Sequence, residues 1–186
     1  AMFACYADGE DSSSASVSGW TVGANNYIKI YTPTETSEVG ASQRHNGTWG
    51  SGYRRTNTLT ISEEFLRAEG ISSKCSNYNI MVNSTTGASD IRISHCYIHS
   101  YGTTVYANLR VTTVAALTTL KVWNNILIND STNSGSYAAY LSDSDLTAYL
   151  YNNTCITNAG YAFYRASGTV YLKNNIGYRT IILNHY

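Results

Sequence analysis

Two acids stand two positions apart at Asp143 and Asp145, and two imidazoles, His95 and His99, lie beside the hydroxyls of Ser94 and Ser100. Paired carboxylates can protonate a leaving group and activate water in glycoside hydrolysis. An imidazole oriented by an acid can serve as a general base. Neither set is completed. Asp143-Ser-Asp145 reads as a solvated turn, and no acid aligns with either imidazole. His95 reads as the stand-in for an asparagine in a repeated pattern, and His45 and His185 read as surface residues. Calcium-dependent lyase chemistry needs stacked carboxylates beside a basic residue, yet Asp90 aligns with Thr119, Thr147 and Thr169. No cysteine or histidine spacing suits zinc. The expectation is a chain with no catalytic residues, no metal and no cofactor.

An aromatic face stands out instead. Lys121, Trp123, Tyr149, Tyr151 and Tyr171 occupy alternate positions of repeated segments. Rings beside hydroxyls and amides stack on sugars or pack against another chain, and they also stabilise a sheet by pairing across strands.

The elements that position these residues come from four related segments, at residues 91–98, 120–127, 148–155 and 170–177. Each is an alternating apolar/polar run closing on a polar pair, and the pair is Asn-Asn in three of the four. Ile91 and Ile93, Leu120 and Val122, Ala148 and Leu150, and Val170 and Leu172 point one way, which is the period of a strand. A fainter member, Phe65–Ile71, ends its pair at Gly70. A second strand precedes each run, near Tyr78–Val82, Val105–Leu109, Tyr137–Leu141 and Tyr161–Arg165, and a short third strand follows the pair. Self-similarity at this spacing marks a solenoid. The expected fold is therefore all-β: a right-handed parallel β-helix of about five coils of three short strands, with asparagine ladders at one corner. His95, Asn124, Asn152 and Asn174 form one column, and Cys96, Asn125, Asn153 and Asn175 the next. Spacing leaves open which column faces inward.

On these motifs the chain resembles the right-handed parallel β-helix repeat proteins of the pectate-lyase-like superfamily, over roughly residues 20 to 183. The segments 26–33, 39–46, 61–65 and 149–153 carry the likeness to bacterial members of that group. The resemblance implies the fold and leaves activity open, because the scaffold serves lyases, hydrolases, epimerases, tailspikes, adhesins and structural fibres. The Gly-His-Gly, Arg-Ile-Lys and Asp-Pro-His-Asp motifs of its enzymes have no counterpart here.

Residues 59–186 hold the coils, continuous as one domain with an N-terminal section, 1–58, that reads as a cap or first coil. In that section Asp8–Ser18 reads as a loop, Trp20–Thr32 as the first strand, and Glu35–Asn57 as a long polar excursion over one end or one side. Lys plus Arg equals Asp plus Glu at 12 each, so no charge excess steers the chain to nucleic acid. No apolar run approaches the ~20 residues needed to span a bilayer. Charged residues are only 13% of the chain, which also holds 17 tyrosines, a composition that suits a secreted or cell-surface β-protein.

Four cysteines permit two disulfides. Coil spacing separates Cys96 from Cys155 and leaves Cys5 with Cys75, or Cys75 with Cys96, as candidates. Asn46, Asn83 and Asn129 head sequons in expected loops and are candidate glycosylation sites. Both the opening residues 1–6 and the tail 180–186 read as apolar and strand-like, which invites head-to-tail stacking. The functional expectation is a non-enzymatic extracellular protein that self-assembles end to end into a fibre, with self as partner. The alternatives are a carbohydrate-binding or polysaccharide-degrading module using the Trp123/Tyr151 face, or a segment of an adhesin or tailspike.

Overall fold

The computed structural model describes residues 1–83, 85–103, 107–115 and 117–180. The first coil holds β1 (Met2–Ala4), β2 (Glu10–Asp11) and β3 (Ala15–Val17). The second holds β4 (Ile28–Tyr31), the one-turn α1 (Thr36–Val39), β5 (Arg54–Arg55) and β6 (Leu59–Ile61). The third comprises β7 (Phe65–Glu69), β8 (Ser72–Cys75) and β9 (Ile80–Val82). The fourth comprises β10 (Asp90–Ser94), β11 (Tyr97–Ser100) and β12 (Ala107–Thr112). Next come β13 (Thr118–Trp123), β14 (Ile126–Asn129) and β15 (Tyr137–Ser142) in the fifth coil. The sixth has β16 (Leu146–Tyr151), β17 (Thr154–Thr157) and β18 (Tyr161–Arg165), and the seventh adds β19 (Thr169–Lys173) and β20 (Ile176–Arg179).

First strands stack on first strands, second on second and third on third. The result is three all-parallel sheets, A, B and C, of seven, seven and six strands in coil order. This is a right-handed parallel β-helix, with successive strands about 4.8 Å apart. The core fills the tube. Ile28, Leu66, Ile91, Leu120 and Ala148 form one inward column of sheet A and are essentially inaccessible to water. Ile98, Leu127 and Cys155 form an inward column of sheet B, and Ile80, Leu109 and Ala139 one of sheet C.

The corner between sheets A and B is two residues long, and it assigns the polar pairs. Gly70, His95, Asn124, Asn152 and Asn174 all have φ between 53° and 74°. This left-handed conformation suits glycine and is tolerated by asparagine. These residues turn the chain and point outward, whereas the following residue points in. Asn125 Nδ2 donates to Asn153 Oδ1 at 2.9 Å, and Asn153 Nδ2 donates to Asn175 Oδ1 at 2.9 Å. The same carboxamide oxygens accept the backbone N–H groups of Asn125 and Asn153 from the coil before. The sequence step at Gly70 is corrected by one residue. Gly70 stacks under His95, and Ile71 under Cys96, because Glu69 is the Cα partner of Ser94.

The helix is also deeper than the expected five coils. Residues 1–58 contribute β1 to β5, so Asp8–Ser18 holds two strands rather than a loop, and the expected first strand is the fourth. Two of these strands, β2 and β5, show no apolar alternation because polar pairs hold them. Glu10 stacks on Arg54 and Asp11 on Arg55, with nitrogen–oxygen separations of 3.5 and 3.9 Å. The buried Arg55 guanidinium is satisfied by the carbonyls of Ser13, Asn57 and Thr58.

The expected Cys5–Cys75 bridge is not formed, and all four cysteines are free thiols. Cys5 follows β1 at the A/B corner of the first coil, whereas Cys75 ends β8 in the third coil. Two coil steps, roughly 10 Å, exceed the reach of a disulfide. Cys75 and Cys96 lie at opposite ends of sheet B strands, since Cys75 is the partner of Ser100. The expected tail 181–186 with His185, the strand start Val105–Tyr106, and Ser84 of the Asn83 sequon lie outside the described residues.

Candidate functional site

The face expected from the sequence lies on sheet A. Arg92, Lys121, Tyr149 and Tyr171 form one outward row, and Ser94, Trp123, Tyr151 and Lys173 the next. Tyr149 and Tyr171 stack with ring centroids 5.0 Å apart. At the other end of this face charge is largely spent internally. Asp90 is paired with Arg92 and lies 3.6 Å from Lys121. Burial would raise the Asp90 carboxyl, but the bonds and charge from Arg92 and Lys121 outweigh it and hold it below the ordinary range. Asp143 and Asp145 form a turn, in which the Asp143 carboxylate accepts the N–H groups of Val114 and Asp145.

A groove that the sequence does not announce runs along sheet B. Its volume is about 430 Å³, and its lining comes from Glu10, Trp49, Thr56, Lys74, His99, Tyr101 and Asp130. Register explains the assembly. Lys74 and His99 are Cα partners on adjacent coils and both face outward. Tyr101 and Asp130 sit two positions further along their strands, where Asp130 N–H donates to the Ser100 carbonyl. Thus one groove draws on coils one to five.

Its wall is the polar excursion 33–53, which lies along one side of the helix. Gln43 Oε1 accepts from Ala7 N–H, and Arg44 pairs with Glu69 at 2.7 Å. His45 is the central pin. Gly47 N–H donates to His45 Nδ1 at 3.1 Å, so the ring proton is on Nε2, which donates to the His95 carbonyl at 2.8 Å. Burial, reinforced by Arg44 and the His95 ring, lowers the His45 pKa against the opposing bond to the His95 carbonyl, which keeps the acceptor nitrogen free of a proton. Pinned in this way, the excursion brings the Trp49 ring to within 5.9 Å of the Lys74 ammonium, which also lies 5.7 Å from the Tyr101 ring.

At the groove floor His99 Nε2 meets Asp130 Oδ2 at 2.6 Å, and His99 Nδ1 meets the Tyr97 hydroxyl at 3.4 Å. An acid therefore does orient this imidazole, contrary to the sequence expectation. Burial lowers the His99 pKa more than Asp130 raises it, and Lys74 lowers it further. The neutral ring donates from Nε2 to Asp130 and accepts from Tyr97 at Nδ1. Both nitrogens are engaged, which leaves the more exposed Asp130 as the hydrogen-bonding group facing the groove.

Two aromatic faces, an ammonium, hydroxyls and exposed carboxylates suit a ligand with apolar ring faces and many hydroxyls. Glu10 and Asp130 are four coils apart, roughly 19 Å along the axis, whereas paired glycosidase carboxylates stand about 5–10 Å apart. These two acids therefore cannot divide the roles of hydrolysis between them.

The sequon residues separate by environment. Asn46 is exposed at the excursion tip, and its carboxamide oxygen accepts from Thr48 and Ser51. Asn83 is half-buried, and its Oδ1 accepts from Ser62. Asn129 is corrected as a glycosylation candidate. It is 0% exposed, and its Nδ2 donates to the Tyr137 carbonyl, so the nitrogen that would carry sugar is enclosed and engaged. No protein-family profile matches the chain, and no curated protein or solved structure matches it.

Proposed function

We propose that this protein is a non-enzymatic, extracellular saccharide-binding β-helix, and that the sheet B groove seats a segment of a hydroxyl-rich polysaccharide. The observation that carries the reading is that Trp49 and Tyr101 both stand within 6 Å of the Lys74 ammonium and line one groove with the His99–Asp130 pair. The rings would stack on the apolar faces of sugar units. Asp130 would accept hydroxyl protons, and Lys74 would donate to ring or hydroxyl oxygens. The groove follows the helix axis over several coils, a shape that fits a linear chain better than a single sugar. Asn46, at the excursion tip, is the glycosylation site that accompanies an extracellular life. A titration against a panel of neutral and uronic-acid polysaccharides, followed by Trp fluorescence, tests the reading. Binding that is lost in Trp49→Ala and weakened in Asp130→Asn supports it. Binding untouched by both substitutions, or release of cleaved product, rejects it.

End-to-end self-assembly, the fibre expected from the sequence, is the second reading. A second copy that added its strands to the ends of the three parallel sheets would make a heterologous contact that propagates. Electron microscopy at high protein concentration tests this: filaments support it, and uniform monomers reject it.

A further inference from the structure

Sheet C carries four tyrosines that the groove does not use. Tyr137 and Tyr140 project from β15, and their Cα partners on β18 are Tyr161 and Tyr164. Tyr140 and Tyr164 stack at 5.5 Å with 11° between planes, and Tyr137 and Tyr161 at 5.8 Å with 19°. The diagonal Tyr137–Tyr164 pair is closer still, at 4.7 Å. Tyr161 and Tyr164 are 55% and 37% exposed. No hydrogen bond among the described residues holds any of the four hydroxyls, so the phenols are packed through their rings alone.

We propose that this cluster is a site of oxidative tyrosine coupling, which joins the fifth coil to the sixth by a carbon–carbon bond. A peroxidase-class oxidant takes one electron and one proton from each of two phenols. The two phenoxyl radicals join ortho carbon to ortho carbon, and the two ring hydrogens move to the oxygens to restore both phenols. One hydrogen peroxide is reduced to two waters for each bond formed, and the protein loses two hydrogens. Parallel register holds the partners on adjacent strands, so coupling needs no search by a flexible chain.

A different observation shows why tyrosine rather than cysteine serves here. Among the described residues of the fifth, sixth and seventh coils the only cysteine, Cys155, is fully buried with its thiol pKa pushed up by that burial. A solenoid coil touches only its neighbours, so it unravels coil by coil from an end. The bond would fasten two of the last described coils. This inference stands apart from the saccharide reading, since none of these residues lines the groove.

The test treats dilute protein with a haem peroxidase and limiting hydrogen peroxide, native and in urea. The expected product is a monomer on a denaturing gel, with blue dityrosine fluorescence and an intact mass lower by two hydrogens. Tandem mass spectrometry places the link within the tryptic peptide that ends at Arg165, joining Tyr137 or Tyr140 to Tyr161 or Tyr164. Native protein couples at least about tenfold faster than the unfolded chain. Tyr164→Phe, which leaves the ring in place, removes most of the link, and the double variant Tyr137→Phe/Tyr164→Phe removes it. Three results would overturn the proposal: products that are chiefly cross-linked dimers increasing with protein concentration, equal coupling in urea, or links mapping to Tyr101 or Tyr178.

Discussion

Replacing Asn153 by alanine should cost far more than the same change one residue earlier. Asn153 is buried and makes four side-chain hydrogen bonds. Its Oδ1 accepts from Asn125 N–H at 3.1 Å and Asn125 Nδ2 at 2.9 Å. Its Nδ2 donates to the Val122 carbonyl and to Asn175 Oδ1, both at 2.9 Å. Each bond contributes roughly 0.5–1.5 kcal/mol net, and the buried Asn125 N–H left without a partner adds a desolvation penalty. The four bonds alone come to about 2–6 kcal/mol, and the penalty adds to that. Asn152 is exposed, and its side chain makes no hydrogen bond among the described residues, but its φ is 53°. Alanine there costs about 1 kcal/mol of left-handed strain, and glycine relieves it. Urea unfolding followed by circular dichroism measures both variants, and amide exchange at Asn125 reports the local opening. If Asn152→Ala destabilised as much as Asn153→Ala, the inward amide column would not be what holds this corner.

Three further outcomes follow from the geometry. A Cβ added at Gly160 would lie 1.8 Å from the Ser136 carbonyl oxygen, so Gly160→Ala should lower stability by about 1–3 kcal/mol in thermal melts, and an unchanged melt would refute the close approach. Burial is the largest influence lowering His45, His95 and His99 from their ordinary value of 6.5, so the unfolded chain binds more protons just below that pH. Stability should be full above pH 6.5 and fall as pH drops through it. It should fall again below about pH 4.5, as Glu69 and Asp90 lose their charge. His45→Gln should reduce the first decline without abolishing it, and a melt of the unsubstituted protein independent of pH between neutrality and pH 5 would contradict the reasoning. In a glycosylating host, peptide mapping should find sugar at Asn46 and none at Asn129.

Much of the coil architecture was legible because strands with an apolar inward face announce themselves. Ile91, Leu120, Ala148 and Val170 fall in one register row, as their alternation implied. The first two coils were hidden because β2 and β5 are two residues long and stack charge on charge rather than apolar on apolar. The groove was harder. Asp130 is the row partner of Tyr101, not of His99, so matching residues level by level overlooks the pair. A diagonal neighbour two positions along the adjacent strand is still within reach of a long side chain, and a search extended to such offsets would have found it. Nothing in the spacing of Trp49 could place it over Lys74, because the 33–53 excursion is positioned by single contacts such as His45 with the His95 carbonyl.

The most direct test of a ligand on sheet B is a lysine footprint. Lys74 lies in the groove, whereas Lys29, Lys121 and Lys173 stand on sheet A. Acetylation in the presence and absence of a bound polysaccharide, read residue by residue in the mass spectrometer, separates the two faces. Slower labelling of Lys74 alone is the predicted result. Protection of Lys121 and Lys173 with Lys74 unchanged would put the sugar on sheet A instead and contradict the account.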